Sequence, residues 1–159
     1  MIINSEYEKI LEKIEFLIGT KGETSNFQLD ELGEQLFGDK WLDCFSADQC
    51  HKQLLQPTGI YYSILNQDTS NGHGFHWLGI YKEDKHVYIF DSFERHSYKL
   101  VDPLVKFLKE RQENVEDGDL ILGKFKQHDS EDNCGQRSMA WLWLVKKYGI
   151  NTARLLGNS

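Results

Sequence analysis

Apolar residues recur at Tyr7, Ile10, Leu11, Ile14, Leu17 and Ile18, a spacing of three and four that places them on one face of a helix. Ser5 and Glu8 form a capping-box pattern at its start, and Gly19 supplies the stop. A second, shorter helix is predicted over 28–36, where Leu29, Leu32 and Leu36 share a face. Residues 37–56 have mixed character, with Trp41 and Phe45 as anchors. The pattern then changes. GIYYSILN (59–66) is rich in β-branched and aromatic residues and reads as a strand. After the polar loop QDTSNGHG, residues 76–81 and 86–90 read as two strands of a hairpin joined by the charged turn 82–85. A helix is predicted over 102–112, with Asp102 as cap and Pro103 in the first turn, and a strand over 119–125. A polar stretch at 128–133 leads into a long apolar helix from Cys134 to Tyr148, closed by Gly149.

This order of elements predicts an α+β fold, with helices packed against a mainly antiparallel sheet in a single domain spanning 1–159. A chain of 159 residues can bury a sizeable core, and 40% apolar content suits a globular protein. No apolar run approaches the roughly 20 residues that cross a bilayer. The N-terminus lacks a basic start followed by an apolar stretch, so no membrane association and no secretion are expected. The net charge of −7 works against non-specific binding to nucleic acid. Lys99, Lys106, Lys109 and Arg111 cluster locally, but Glu110 and Glu113 interleave with them, as on a solvated helix face. Cysteines at 44, 50 and 134 are odd in number and widely placed, which excludes a disulfide-stapled secreted domain. Cys44, Cys50 and His51 do not supply four ligands at structural zinc spacing, so neither metal nor other cofactor is expected. A monomer is the default.

Candidate chemistry concentrates late in the chain. Cys134 opens the apolar helix, where unpaired N–H groups and the helix dipole favour a thiolate, the nucleophilic form. Gly135 beside it permits close approach of a substrate backbone. His76, at the start of the first hairpin strand, can take the thiol proton and return it to a leaving amine, with Trp77 packing to fix its ring. Asp91 ends the return strand, and a hairpin brings that position beside His76, where a carboxylate would orient the imidazole. Gln127, seven residues before Cys134, offers an amide donor to the oxyanion of an attacked carbonyl. Singly, each has a bland reading as a core thiol, a surface histidine, a solvated aspartate or a surface glutamine. Together, in this order, they form a catalytic set.

The segments GFHWLGIYKEDKHVYIFDSFER and KQHDSEDNCGQRSMAWLWLV resemble the adenovirus-type maturation proteases, within the superfamily that contains the SUMO- and NEDD8-deconjugating enzymes. That family has His-Trp on a strand, an acidic residue closing the next strand, and a glutamine six or seven residues before Cys-Gly at a helix start. Here the pattern falls on His76-Trp77, Asp91, Gln127 and Cys134-Gly135, and the likeness spans roughly residues 59–148. Asp91, Ser92 and Phe93 resemble the acidic-Ser-Phe stretch in proteases of virophages and polintons. The resemblance implies a papain-like fold and a cysteine endopeptidase that cleaves viral capsid or scaffold precursors at glycine-containing sites, in the virion and the host cytoplasm. It also implies that Trp77 roofs a narrow substrate channel. Adenovirus enzymes carry glutamate in place of Asp91, and the ten residues after Gly149 do not provide their activator-binding portion. A peptide activator and a DNA cofactor are therefore not carried over. The alternatives are a modifier-deconjugating protease, an acetyltransferase on the same scaffold, and a non-catalytic binding module.

Overall fold

The computed structural model describes residues 2–46, 49, 51–66, 76–90, 92 and 133–156. The predicted helix over 102–112, the strand over 119–125, the loops at 67–74 and 128–132, and Asp91, Gln127 and Cys50 lie outside those residues.

Helix α1 (Ile3–Ile18) turns Ile3, Tyr7, Ile10, Leu11 and Ile14 into the core. It begins two residues before Ser5, because a further turn buries Ile3 beside Tyr7 on the same stripe. Its N-cap is Ile2, with no side-chain cap, so the predicted Ser5–Glu8 capping box does not form and both residues lie within the helix. Gly19 ends it as predicted, in the left-handed region (φ 91°), with its N–H on Glu15 O. A capping box does open α2 (Asn26–Phe37): Gln28 N–H donates to Ser25 Oγ at 3.2 Å and Ser25 N–H to Gln28 Oε1 at 2.8 Å. Leu29 and Leu32 face inward, and Leu36 is half-buried.

Among the described residues, β1 (Phe45–Ser46), β2 (Ile60–Asn66), β3 (Trp77–Glu83) and β4 (His86–Phe90) form one sheet in the order β1-β2-β3-β4. The β1–β2 pairing is parallel; β2–β3 and β3–β4 are antiparallel. Side chains alternate between two apolar faces. Tyr62, Ile64, Trp77, Tyr81, Tyr88 and Phe90 join the core formed with α1, α2 and α3 (Cys134–Tyr148). Leu65, Leu78, Ile80, Val87 and Ile89 lie on the other face with Leu42, Phe45 and Leu54. Trp41 and Phe45 are buried anchors, as their sequence context suggested. A short α4 (Ile150–Ala153) follows Gly149.

The predicted hairpin boundaries move as well: β3 begins at Trp77, which leaves His76 immediately before the strand. β3 runs on to Glu83, so the turn is only Asp84 and Lys85, with Asp84 at φ 54°. Lys82 is therefore a strand residue paired with Tyr61 and Val87, and it is fully buried. Its amine donates to the carbonyls of Thr58 (3.0 Å), Gly59 (3.4 Å) and Asp84. A buried ammonium is tolerated here because all three of its donors are used. Burial holds its pKa below the usual lysine range, with Asp84 opposing that shift.

Helix α3 crosses β3 at Gly79. A Cβ there would sit 3.3 Å from Ser138 O and 3.5 Å from Trp141 Cε3. Trp141 stacks on Phe90 with ring centroids 5.2 Å apart. We expect Gly79→Val to cost about 1–3 kcal/mol through overpacking, read from urea unfolding. The same sheet face carries a titratable aromatic cluster. Burial, reinforced by the hydrogen-bonded Glu83 carboxylate, holds the Tyr81 phenol far above its ordinary pKa, and burial also raises Tyr62. The folded state thus keeps protons that the unfolded chain loses near pH 10, so this contribution is full below about pH 10 and declines above it. Tyr81→Phe is expected to flatten the fall of unfolding free energy between about pH 10 and 11.5, measured by urea titrations across that range.

Candidate active site

The first turns of α3 are fastened to the first residue of β3. Trp77 N–H donates to Cys134 Sγ at 3.4 Å, and Ser138 Oγ donates to Trp77 O at 3.1 Å. Cys134 and Ser138 are one helical turn apart, so a single helix edge grips both main-chain polar groups of Trp77. The nitrogen facing the sulfur is bonded to the carbonyl carbon of His76. Covalent geometry puts His76 Cα roughly 2.4 Å from that nitrogen, and hence no more than about 6 Å from the sulfur. That is within the span of an imidazole side chain. Both His76 and Cys134 are buried, each 5% exposed, so proton transfer between them would be little diluted by bulk water.

Cys134 is the first residue of α3, where the helix was predicted to begin. Its cap, Asn133, makes no side-chain hydrogen bond to the helix backbone; Asn133 Oδ1 instead accepts from Arg137 Nε at 3.0 Å. The first N–H groups of α3 are thus not taken up by the cap side chain, and the helix end keeps its positive dipole at the thiol. Tyr7 Oη, from α1, donates to Arg137 O at 3.4 Å and braces the same turn.

The close approach expected at Gly135 is made by the protein's own chain. A Cβ there would lie 2.3 Å from Thr24 Oγ1, 3.2 Å from Trp77 Cδ1 and 3.3 Å from Leu29 Cδ2. Trp77 is thus packed on the helix that Cys134 opens, and its indole N–H donates to Thr24 O at 3.3 Å. Trp77 also lines a cleft of about 290 Å³, whose other walls are Asn26, Asn66, Gln49, Cys44 and the β1 residues Phe45 and Ser46. That volume takes one or two side chains.

The two described thiols differ in their surroundings. Cys44 sits where burial and the nearby Asp30 carboxylate push its pKa far up, so it stays protonated and a poor nucleophile. Asp30 Oδ1 also accepts from Cys44 N–H (2.8 Å) and Trp41 Nε1 (3.1 Å), which makes this a structural cluster. Among the described residues no group of His, Cys, Asp and Glu could hold a metal ion, and no helix is long and apolar enough to cross a membrane.

His76, Trp77, Cys134 and Gly135 are therefore brought together, whereas Asp91 and Gln127 lie outside the described residues. The β3–β4 register pairs Phe90 with Gly79, three residues past His76, so β4 runs toward the end of the sheet that carries the histidine. Thr24, Gln136 and Ser138 contact this region but were not singled out from the sequence. Gln136 and Ser138 carried a signal, as polar side chains inside an apolar helix; Thr24 carried none. No protein-family model matches this sequence, and no curated protein matches it.

Gly135→Ala is expected to displace Thr24 and press on Trp77, lowering the melting temperature by about 3–8 °C in a thermal unfolding scan.

Proposed function

We infer that this chain is a Cys–His hydrolase of the papain-like kind, acting on peptide bonds. More specifically, it acts as a cysteine endopeptidase akin to the adenovirus-type maturation proteases that its motifs resemble. The observation that carries the reading is the 3.4 Å contact between Cys134 Sγ and the N–H that follows His76, at the N-terminus of a buried helix. A thiol and an imidazole on adjoining backbone, one of them at a helix start, are what nucleophilic acyl transfer needs.

In this mechanism His76, oriented by Asp91, takes the proton from Cys134, and the thiolate attacks the scissile carbonyl carbon. Gln127 and N–H groups at the start of α3 receive the oxyanion. The C–N bond breaks as His76 passes its proton to the departing amine, leaving a thioester on Cys134. Water, deprotonated by His76, then releases the carboxylate product and restores the thiol. Neither a metal nor an organic cofactor enters these steps. Trp77, which lines the cleft and packs on Gly135, favours small residues such as glycine near the cut. The preferred substrates are capsid or scaffold precursors, processed in the virion and the host cytoplasm.

The test is cleavage of a peptide library and of capsid-precursor segments by wild-type and variant proteins. Cys134→Ala is expected to abolish cleavage with folding intact, and His76→Ala to lower kcat/KM by about 10²–10⁴-fold. A thiol-directed peptide warhead should label Cys134 and leave Cys44 unmodified at neutral pH. Cleavage persisting in Cys134→Ala would remove the assignment. Preferential processing of ubiquitin-like modifier tails, or acetyl transfer from labelled acetyl-coenzyme A, would redirect it to those chemistries.

A further inference from the structure

The connection between α1 and α2 touches both sides of the nucleophile. Gly19 closes α1 and Ser25 caps α2, which leaves Thr20–Thr24 as the joining loop. Gln136 Nε2 donates to Thr20 O at 3.0 Å and to Gly22 O at 2.8 Å, across more than a hundred residues of chain. Trp77 Nε1 donates to Thr24 O, and the Thr24 side chain lies over Gly135. Three of the five loop carbonyls are thus held by side chains from the two segments that meet at the sulfur.

Gln136 is fully buried, two residues past Cys134, and both hydrogens of its amide nitrogen reach the loop. Among the described residues its Oε1 is buried without a hydrogen-bond partner, a cost that an apolar residue at this helix position would avoid. The two N–H donors match two loop carbonyls, an arrangement that neither a hydrocarbon nor a carboxylate reproduces. We propose that Gln136 is a positioning residue: it latches the Thr20–Thr24 loop onto the first turn of α3, and the latched loop holds the Trp77 indole as a wall of the substrate cleft. The link from latch to cleft rests on the proteolytic reading above; the latch itself does not.

The consequence is selective. The sulfur is held by the Trp77 N–H, and Trp77 O by Ser138, neither of which involves Gln136. Loosening the latch therefore frees the indole and the cleft wall while leaving the nucleophile seated. Substrate binding suffers more than the chemical step.

Lys21, exposed within the loop, provides a readout that needs no enzymatic activity, since trypsin cuts after it only when the loop opens. The variants are Gln136→Met, which keeps length but loses both donors, and Gln136→Glu, which sets a carboxylate against the two carbonyls. We expect cutting after Lys21, followed by mass spectrometry, to accelerate about tenfold or more in both, and more in Glu than in Met. With a cleaved peptide, KM should rise about tenfold while kcat changes by less than about threefold. Alkylation of Cys134 by iodoacetamide should stay within about twofold of wild type, since the contact to Trp77 N–H is untouched. Circular dichroism establishes folding first, and the Met variant, which buries no charge, decides should the Glu variant not fold. Unchanged cutting at Lys21 would overturn the latch. Faster cutting with unaltered KM, or an equal loss carried wholly by kcat, would overturn its role in the cleft. If wild type cleaves no peptide, the proteolytic reading fails and the linked role in the cleft falls with it, while the trypsin result still decides the latch.

Discussion

Everything at the site depends on one residue of backbone. Trp77 presents its N–H to Cys134 and its carbonyl to Ser138, so a β-strand and a helix far apart in sequence are joined through the peptide units on either side of one α-carbon. Hydrogen bonds are directional where apolar contacts are not, and two of them one helical turn apart fix both the depth and the rotation of the helix. Fixing the helix fixes the sulfur. Because His76 is the neighbour on the chain, the same two bonds also set how far imidazole and thiol can separate.

That attachment needs a flat approach, and the sheet supplies it. Gly79 leaves no Cβ between β3 and α3, and Ser138 O and Trp141 occupy the space. Phe90 stacks on Trp141 from the next strand, and Tyr7 braces the Arg137 carbonyl from α1. The N-terminal helices are thereby part of the site's support. Their joining loop is held by Gln136 and Trp77, so a stretch that reads as a simple linker in sequence stands against the first turn of α3.

Environment separates the two described thiols more than composition does. Cys44 is half-buried and lies near Asp30, and its surroundings disfavour its thiolate. Cys134 stands at a helix start with a backbone N–H directed at its sulfur. Cysteine is the same residue in both places; what it faces differs.

The periodicities of the chain were enough to locate α1, α2, the β2–β3–β4 segment and the limits of α3, since each depends on local side-chain spacing and on glycine stops at 19 and 149. The order His76, Trp77, Cys134, Gly135 was likewise legible, because chemistry-bearing residue types stand at the ends of elements. Local patterns misled where burial outweighed them: Ile3 drew α1 past the Ser5–Glu8 box, and the Lys82 amine found three carbonyls and so joined the strand as a core residue. Only tertiary structure decided that the 3.4 Å contact forms and that Gln136 reaches Thr20 and Gly22. It also decided that Gly135 is filled by Thr24 and Trp77. Spacing along a chain dictates which face a residue takes on its own element. Which two faces meet depends on the packing of the whole core, and no local pattern carries that information.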